Sequence, residues 1–427
     1  MKILIKNCNL ISVSESREKY EECIDILINN DKIDKIEKNI TEEECEKVID
    51  AKGKIVMPGL INTHTHIPMS IFRDTLDGYG LQEWLNDKIW PMEDKLNEED
   101  IYYASILSCM EMIKSGTTTF NDQYFMTDSI IKAGIETGLR THCTRTLMDI
   151  DGGGELRLKE LEELINKYNC YSDNVKINIG VHSLYTCTSE HVKKAVELAK
   201  KYNLYMHMHF AENSKEIEDI KKIHSTNYPV DLILEYFKET DIVLAHCVKI
   251  NSEEISKLTD LNLSVAHCPI SNLKLGCGVA PIKEYSENGI NVTLGTDGQG
   301  SGNNLDMFEV MSYTALLQKG IYENARLLPA YEVIKMATIN GAKALKIDRE
   351  IGSIEEGKKA DLIILDLNNV TTQPINDIFS NIVYNAKGYN VETTIINGKI
   401  LMEDKKILGF NDNIIYEKCG DIIKRLT

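Results

Sequence analysis

Eight short apolar runs, rich in β-branched residues, alternate with amphipathic helical stretches through the middle of the sequence. These runs are residues 54–64, 117–122, 140–146, 175–182, 204–210, 241–246, 263–269 and 290–297. Strands that alternate with helices predict parallel βα units, and eight is the number of strands that closes a (β/α)₈ barrel. An open doubly wound sheet is the alternative, but no G-x-G-x-x-G motif follows an early strand. The sequence therefore favours an α/β fold of the barrel type.

Two of the intervening stretches carry clear helix signals. Residues 189–202, SEHVKKAVELAKKY, place apolar side chains near helical spacing. Asn251 and Glu254 match a capping box, the pattern in which each side chain accepts a hydrogen bond from the other's backbone.

Both ends of the chain have β character. Residues 1–50 contain β-rich runs with a turn at Asn29-Asn30-Asp31. Near the other end, Asn397-Gly398 separates two apolar runs, which is a strong hairpin signal. Because strands from the two ends can pair with each other, we expect one small sheet domain beside the barrel.

Composition narrows the class of protein. With 48 basic and 66 acidic residues the net charge is −18, which disfavours binding to nucleic-acid phosphates. No segment approaches the roughly 20 consecutive apolar residues that a membrane span needs. The N-terminus is too polar for a signal peptide, and the eleven cysteines include no C-x-x-C pair. We expect a cytoplasmic protein with reduced thiols that acts on a small molecule.

Polar residues collect at the predicted strand ends, where the active sites of such barrels lie. The residues concerned are His64, His66, His182, His209, His246, His267 and Asp297. His64 and His66 stand at i and i+2 of one strand, so their side chains point the same way. A third imidazole and a carboxylate complete a nitrogen and oxygen site suited to zinc or ferrous iron. We favour His209 over His207 as this imidazole, because it lies nearer the strand end, and Glu212 is placed to shuttle protons.

The motifs GLINTHTH, HMHFAE, LAHC, VAHCPISN and LGTDG, in this order, resemble the amidohydrolase superfamily. The closer resemblance is to the 5′-methylthioadenosine/S-adenosylhomocysteine deaminases and their chlorohydrolase relatives, and it extends to the tail motif GSIEEGKKADLIILDL. It implies a (β/α)₈ barrel over residues 58–349. It also implies a composite β-sandwich built from residues 1–57 and 350–427, and a homo-oligomer.

The resemblance further implies one divalent metal, zinc or alternatively iron. Its implied ligands are three imidazoles and one carboxylate, those of His64, His66, His209 and Asp297. Glu212 is similar to the proton shuttle of the family, and His246 to the histidine that orients the attacking water. Binuclear members carry a carboxylated lysine at the end of strand 4, whereas His182 ends that strand here. This difference indicates a single metal.

The resemblance also implies a set of substrate contacts, namely Trp84, Glu93, Arg145, Arg157, His182, Glu212 and Ser301. The Glu93 carboxylate would accept hydrogen bonds from the ribose hydroxyls, and Trp84 would cover the ligand. Arg145 and Arg157 would pair with the amino-acid carboxylate of S-adenosylhomocysteine. His182 would contact the purine, and Ser301 would add a polar contact from a loop that departs from the usual run of the family.

These assignments predict hydrolytic deamination of an adenosine derivative at C6, with an inosine derivative and ammonia as products. S-adenosylhomocysteine, 5′-methylthioadenosine and adenosine are the candidate substrates. S-adenosylhomocysteine should be preferred if both arginines reach a carboxylate. The nearer alternatives are a guanine deaminase and a triazine or chloro-aromatic hydrolase on the same scaffold. A non-catalytic metal-binding barrel is the more distant alternative.

Overall fold

The computed structural model describes residues 1–14, 16–75 and 77–426. Its strands are β1 (Lys2–Leu10), β2 (Glu21–Asn29), β3 (Lys32–Glu37), β4 (Lys47–Asp50), β5 (Ile55–Pro58), β6 (Leu60–Thr65), β7 (Thr117–Tyr124), β8 (Arg140–Arg145), β9 (Val175–Ile177), β10 (Ile179–Val181), β11 (Met206–Phe210), β12 (Ile242–His246), β13 (Leu263–His267), β14 (Asn291–Leu294), β15 (Leu362–Leu365), β16 (Val391–Ile396), β17 (Lys399–Glu403) and β18 (Lys406–Ile407). Its α-helices are α1 (Leu81–Glu83), α2 (Trp90–Glu93), α3 (Glu98–Lys114), α4 (Thr127–Thr137), α5 (Gly154–Tyr168), α6 (Ser189–Tyr202), α7 (Ser214–Ile223), α8 (Pro229–Phe237), α9 (Ser252–Lys257), α10 (Pro269–Lys274), α11 (Ile282–Glu287), α12 (Gln299–Gly302), α13 (Met307–Ile321), α14 (Ala330–Met336), α15 (Ile339–Ala344), α16 (Ile378–Tyr384) and α17 (Asp412–Leu426). Three 3₁₀ helices cover Ile67–Phe72, Leu258–Asp260 and Gly388–Asn390, and a π-helical segment covers Trp84–Ile89.

Two parallel sheets occupy the middle of the chain, in the orders β6-β7-β8-β9 and β10-β11-β12-β13-β14. Hydrogen bonds join the sheets at both edges. At one edge Leu147 N donates to Gly180 O at 2.8 Å, and at the other Asp297 N donates to His64 O at 3.0 Å. Every predicted apolar run contains a strand, and helices separate successive parallel strands except β9 and β10, between which only Asn178 lies. The predicted α/β organisation with parallel pairing is therefore confirmed.

The structure corrects the predicted run 54–64, which is two strands rather than one. β5 pairs with strands from the chain termini, and β6 opens the parallel sheet. The division falls at Gly59, where an added Cβ would lie 2.2 Å from the Thr118 side chain. Only glycine allows the backbone to pass this close to β7.

Three other predicted runs also differ from the observed strands. The run 175–182 is interrupted at Asn178, whose side chain donates to Asn121 Oδ1 at 2.9 Å inside the sheet. The run 263–269 ends at His267, because Pro269 begins α10 and cannot donate to a ladder. The run 290–297 ends at Leu294, so Asp297 lies in the loop beyond β14, with φ of 61°.

The terminal strands form one nine-stranded sheet in the order β18-β17-β16-β15-β5-β1-β2-β3, with β4 beside β1. The C-terminal strands β15 to β18 form one side of the sheet and the N-terminal strands β1 to β5 form the other, and the two groups join where β15 pairs with β5. The two chain ends therefore share one sheet, as the β character of both ends predicts. Both predicted turns are present: Asn30-Asp31 joins β2 to β3, and Asn397-Gly398 joins β16 to β17. Asn30 and Asn397 have φ of 56° and 53°, the left-handed geometry that such turns favour.

A buried ion pair joins the terminal sheet to the parallel sheets. Arg140 Nε and Nη2, on β8, donate to the two carboxylate oxygens of Asp361 at 2.9 and 3.2 Å. Each of these side chains is 1% exposed. The carboxylate of Asp361 also accepts from Asn397 N at 2.7 Å, so it ties the hairpin turn to β8.

Helical predictions also hold. Helix α6 spans the predicted Ser189–Tyr202, and α9 begins with the Asn251 and Glu254 capping box. The last helix, α17, was not anticipated, and its Cys419 Sγ donates to the carbonyl oxygen of Tyr103 on α3 at 3.6 Å. Among residues 1–14, 16–75 and 77–426, no helix has the length and apolar character needed to cross a membrane.

Candidate functional site

Four side chains meet where β6, β11 and the loop after β14 come together. They are His64, His66, His209 and Asp297, the set implied by the sequence motifs. Asp297 Oδ1 lies 3.2 Å from His66 Nε2 and 3.6 Å from His64 Nε2. His66 Nε2 lies 3.3 Å from His209 Nε2. The nitrogens and the carboxylate oxygen therefore face one common point.

Hydrogen bonds made by the Nδ1 atoms of His66 and His209 fix which ring nitrogen faces the common point. His66 Nδ1 donates to Gln123 O at 2.6 Å, and His209 Nδ1 donates to His182 O at 2.7 Å. Because a carbonyl oxygen can only accept, the neutral rings leave their lone pairs on Nε2. Two lone pairs that face each other repel, so the arrangement needs a positive charge between them, either a proton on His66 Nε2 or a metal cation. Backbone carbonyls that hold the far nitrogen are the usual support of a metal-ligating histidine.

The local electrostatics also favour a positive charge at this point. Burial lowers the pKa of His66, but the hydrogen bond and charge of Asp297 outweigh it and raise that pKa to about 9. Burial opposes ionisation of Asp297, yet His64 and His66 hold its pKa well below the usual range. His64 Nε2 is buried and has no hydrogen-bond partner among the described residues. Three imidazoles, one of which offers this unpartnered nitrogen, and one carboxylate fit a divalent metal such as zinc.

Glu212 and His246 lie beside this cluster. Glu212 Oε2 is 3.7 Å from His246 Nε2, and His246 Nδ1 donates to Asn272 Oδ1 at 2.9 Å. Burial and, next, the charge of Asp297 raise the pKa of Glu212 well above its ordinary value. A carboxyl group with a raised pKa holds a proton more tightly than an exposed glutamate does, which is the direction that a general acid–base requires.

The backbone that presents these residues is strained. Ala211, His246, Cys247 and Asp297 have φ of 53°, 73°, 48° and 61°, the left-handed region that non-glycine residues rarely adopt. Ala211 follows β11 directly, His246 ends β12 and Asp297 follows β14. Left-handed residues at strand ends turn the chain sharply, and such strain is often concentrated at functional sites.

A cavity of about 490 Å³ opens next to the cluster. Its lining includes six of the seven predicted substrate contacts, namely Trp84, Glu93, Arg145, Arg157, His182 and Glu212. Tyr124 OH donates to Glu93 Oε1, and burial raises the pKa of Glu93 to about 7 against that hydrogen bond. Trp84 is 5% exposed, and its Nε1 has no hydrogen-bond partner. His182 Nδ1 bonds the Thr186 hydroxyl at 2.9 Å.

Two predicted substrate contacts have different surroundings from those expected. Ser301 is buried, is not among the described residues that line the cavity, and donates to Asp297 Oδ2 at 2.8 Å. It is thus positioned to orient the carboxylate. Arg157 lines the cavity but already forms a bidentate pair with Asp151.

Several residues that support the site were missed from the sequence. Glu216 accepts hydrogen bonds from Ala211 N, Glu212 N and Ser183 Oγ at 3.1, 2.7 and 3.0 Å. In the sequence, the sign of this role is a second glutamate four residues after Glu212. His207 Nε2 lies 2.9 Å from His64 Nδ1 and so lies behind a ligand, away from the common point.

Two further supports belong to one motif. Ser271 Oγ donates to Asp297 Oδ2 at 2.5 Å, and Asn272 Oδ1 holds His246. Both residues lie in the motif VAHCPISN, which indicates the family but does not show which side chains these two residues contact. Cys277 Sγ lies 3.7 Å from Glu212 Oε1, and no sequence pattern pointed to it.

Comparison with known proteins agrees with this geometry. The profile of the Amidohydrolase family matches residues 55–401. The chain belongs to the amidohydrolase family. The resemblance drawn from the strand-end motifs is therefore confirmed, and those motifs carry the site residues described above.

Similar amidohydrolases include two deaminases of nearly the same length. A 5-methylthioadenosine/S-adenosylhomocysteine deaminase of Caldanaerobacter subterraneus subsp. tengcongensis is 41% identical over 412 residues, which cover 95% of this chain and 94% of that protein. A 5′-deoxyadenosine deaminase of Methanocaldococcus jannaschii is 43% identical over 432 residues, with 99% of each chain covered. Among solved structures, an adenosine deaminase from Xanthomonas campestris with bound zinc has a TM-score of 0.93 at 27% identity. The match covers 99% of this chain and 98% of that one.

Proposed function

We propose that the protein is a metal-dependent hydrolytic deaminase that converts adenosine derivatives, such as 5′-methylthioadenosine or S-adenosylhomocysteine, to inosine derivatives and ammonia. The observation that carries the proposal is the convergence of two imidazole lone pairs, an orphaned His64 nitrogen and the Asp297 carboxylate beside a protonatable Glu212. The two similar deaminases support adenosine derivatives as the substrate class.

The side chains of His64, His66, His209 and Asp297 would hold one divalent ion, zinc in our proposal. When bound, such an ion would lower the pKa of the attacking water towards about 7. Glu212 accepts a proton from the attacking water and delivers it to N1 of the purine, which makes C6 electrophilic. His246 stabilises the tetrahedral centre through Nε2, while Asn272 fixes the ring. The water oxygen bonds to C6, and Glu212 then moves the remaining proton of that hydroxyl to the amino group, so that the C6–N bond breaks and ammonia leaves.

The cavity accommodates the rest of the nucleoside. We assign the ribose hydroxyls to Glu93, because a carboxylate accepts two hydroxyl donors well. We assign the purine to His182, and a covering face to Trp84. Ser301 is reassigned from the substrate to Asp297, since its hydroxyl donates to that carboxylate.

The fold supplies this arrangement, in our proposal, as a closed (β/α)₈ barrel over residues 58–349. The hydrogen bonds that join the two parallel sheets at both edges support closure. The terminal sheet, from residues 1–57 and 350–427, is proposed to fold over itself as a β-sandwich. A single buried apolar core shared by Ile26, Val56 and Leu362 supports this packing. Unpaired cysteines favour the reducing cytoplasm.

The test is metal analysis combined with ammonia release. Purified protein is expected to contain one equivalent of zinc and to release ammonia from adenosine, 5′-methylthioadenosine or S-adenosylhomocysteine. The variant His209→Asn should lose both properties. His224→Asn, which changes a histidine on the chain outside the cluster, is the matched control and should keep them. A zinc-loaded protein that is inert to all three nucleosides but acts on guanine or a chlorotriazine would overturn the proposal.

A further inference from the structure

The Arg157 guanidinium is already paired with the carboxylate of Asp151, six residues earlier in the chain. Its Nη1 donates to Asp151 Oδ1 at 2.6 Å and to Met148 O at 2.7 Å, while its Nη2 donates to Asp151 Oδ2. Two parallel hydrogen bonds to one carboxylate are the favoured geometry of an arginine–carboxylate pair. The position that a substrate carboxylate would take on Arg157 is therefore filled by the chain itself.

The glycine run of the sequence builds this pair. Asp151 Oδ1 accepts from Gly153 N at 3.0 Å, which closes a tight turn. Gly152 has φ of 82°, and a Cβ added to Gly153 would lie 2.8 Å from Arg157 Nη1. Glycine at these two positions lets the guanidinium fold back across the turn. The segment Asp151–Gly154 thus holds its acid against Arg157.

The second arginine of the cavity is also paired with a carboxylate, but through one hydrogen bond rather than two. Arg145 Nε donates to Glu160 Oε2 at 2.8 Å, and Arg145 Nη1 donates to Thr146 O at 3.1 Å. Each cavity arginine therefore has one carboxylate partner from the chain. The charge of each arginine is therefore partly offset by its own partner, although Glu160, unlike Asp151, is not among the described residues that line the cavity.

The neighbouring wall is apolar. Phe125, Met148, Ile150 and Tyr185 line the same cavity as the two arginines. Ile150 is 57% exposed, although it is a large apolar residue. An apolar group of a ligand that covers such side chains gains free energy in proportion to the area removed from water. This part of the cavity therefore suits an uncharged, apolar substituent.

We propose that Asp151 sets the substrate preference by occupying the anion position on Arg157. This inference rests on the deaminase function proposed above. Adenosine derivatives with a small uncharged 5′ substituent, such as methylthio or methyl, are then favoured over derivatives that end in a carboxylate. A carboxylate substrate must displace Asp151 or lie beside it, and like charges at short range repel. This reverses the preference expected if both arginines were available.

The test compares kcat/KM for S-adenosylhomocysteine and 5′-methylthioadenosine in the zinc-loaded protein. Asp151→Asn keeps an acceptor for Gly153 N but removes the charge. The ratio measured is kcat/KM for S-adenosylhomocysteine divided by kcat/KM for 5′-methylthioadenosine. We expect Asp151→Asn to raise this ratio by about tenfold, which is the size of effect that one charge contact has in a partly desolvated site. Glu155→Gln on α5 is the matched control, because it makes the same charge change outside the cavity. Its ratio should equal that of the wild type.

A wild-type measurement makes the test independent of how the variant folds. The carboxamide of S-adenosylhomocysteine should be deaminated at least as efficiently as the carboxylate form, because Arg157 offers no open anion position. A wild-type preference of tenfold or more for the carboxylate form overturns the inference, and so does a lower ratio in Asp151→Asn. Inertness of the wild type towards all nucleosides would instead reject the deaminase function, so the two failures are distinguishable.

Discussion

The Glu216 carboxylate accepts a hydrogen bond from the backbone amide of Glu212 at 2.7 Å, so one buried glutamate holds the backbone of another. Glu216 also binds the amide of Ala211, whose φ is 53°. Release of these amides should let the strained turn relax and move the Glu212 side chain away from His246.

Replacing Glu216 therefore tests whether the position of Glu212 matters for turnover. In Glu216→Gln one of the three accepted hydrogen bonds is lost, and we expect kcat to fall by about 10- to 100-fold. Zinc content and KM should change little, because the four metal ligands stay in place. Glu218→Gln, on the exposed side of the same helix, is the matched control. A variant with normal kcat would show that the turn needs no such support.

Metal binding should stabilise the fold. A bound divalent cation would contact all four ligand side chains of the folded protein, including the Nε2 atoms of His66 and His209, which lie 3.3 Å apart. The unfolded chain does not hold these ligands together. At free zinc about 1,000-fold above Kd, binding should add about 4 kcal/mol to the free energy of unfolding. Thermal unfolding with and without a chelator measures the gain. His209→Asn should show a much smaller zinc-dependent rise in Tm, whereas an equal rise in both proteins contradicts the ligand assignment.

The pH dependence of KM should report Glu93. Burial raises the pKa of Glu93 to about 7 from an ordinary value of 4.5. Ribose hydroxyls need the ionised carboxylate, so KM should rise as pH falls below about 7. The effect on stability has the opposite sign. Between pH 4.5 and about 7 the folded state keeps the Glu93 proton that the unfolded state loses, so the free energy of unfolding falls as pH rises.

Glu93→Gln is the variant that isolates this effect. It should have a raised KM that no longer varies with pH near 7. Glu83→Gln, an exposed neighbour on α1, should keep the wild-type profile. If the pH-dependent rise in KM persists in Glu93→Gln, another group is responsible.

The buried ion pair between Arg140 and Asp361 should stabilise the packing of the terminal sheet against the parallel sheets. Asp361→Ala leaves a guanidinium buried without its partner, which costs about 3–5 kcal/mol. Urea unfolding should show this loss, while kcat in the remaining folded protein stays near the wild-type value. Lys359→Ala, which removes a partly exposed ion pair with Asp31, should cost about 1 kcal/mol or less. Equal losses in the two variants would contradict the role assigned to burial.

Sequence patterns predicted the strands from short apolar runs, and they predicted the metal ligands from polar residues at the ends of those runs. Period-two spacing aims His64 and His66 together, and β-branched runs form strands wherever they are buried. Gly59 was read as part of one continuous strand, because no local pattern reveals that Thr118 crosses it at close range. Such a close approach depends on a residue far along the chain.

The supporting residues were hidden for a similar reason. Only the fold shows that Glu212 N lies against the Glu216 carboxylate and that the Arg157 guanidinium lies against Asp151. Ser301 was assigned to the substrate because of its place in the loop, yet its hydroxyl faces Asp297. Residue type and spacing identify which groups can do chemistry, whereas their partners depend on packing.

The central claim is that Glu212 moves the protons of hydrolysis at a metal site. The most direct measurement is ammonia release from 5′-methylthioadenosine by zinc-loaded Glu212→Gln, with zinc content measured on the same sample. We predict a loss of about 10³-fold or more in kcat, in line with removal of a general acid–base, with zinc still bound. A Glu212→Gln protein that retains its zinc and most of its wild-type kcat would contradict the account.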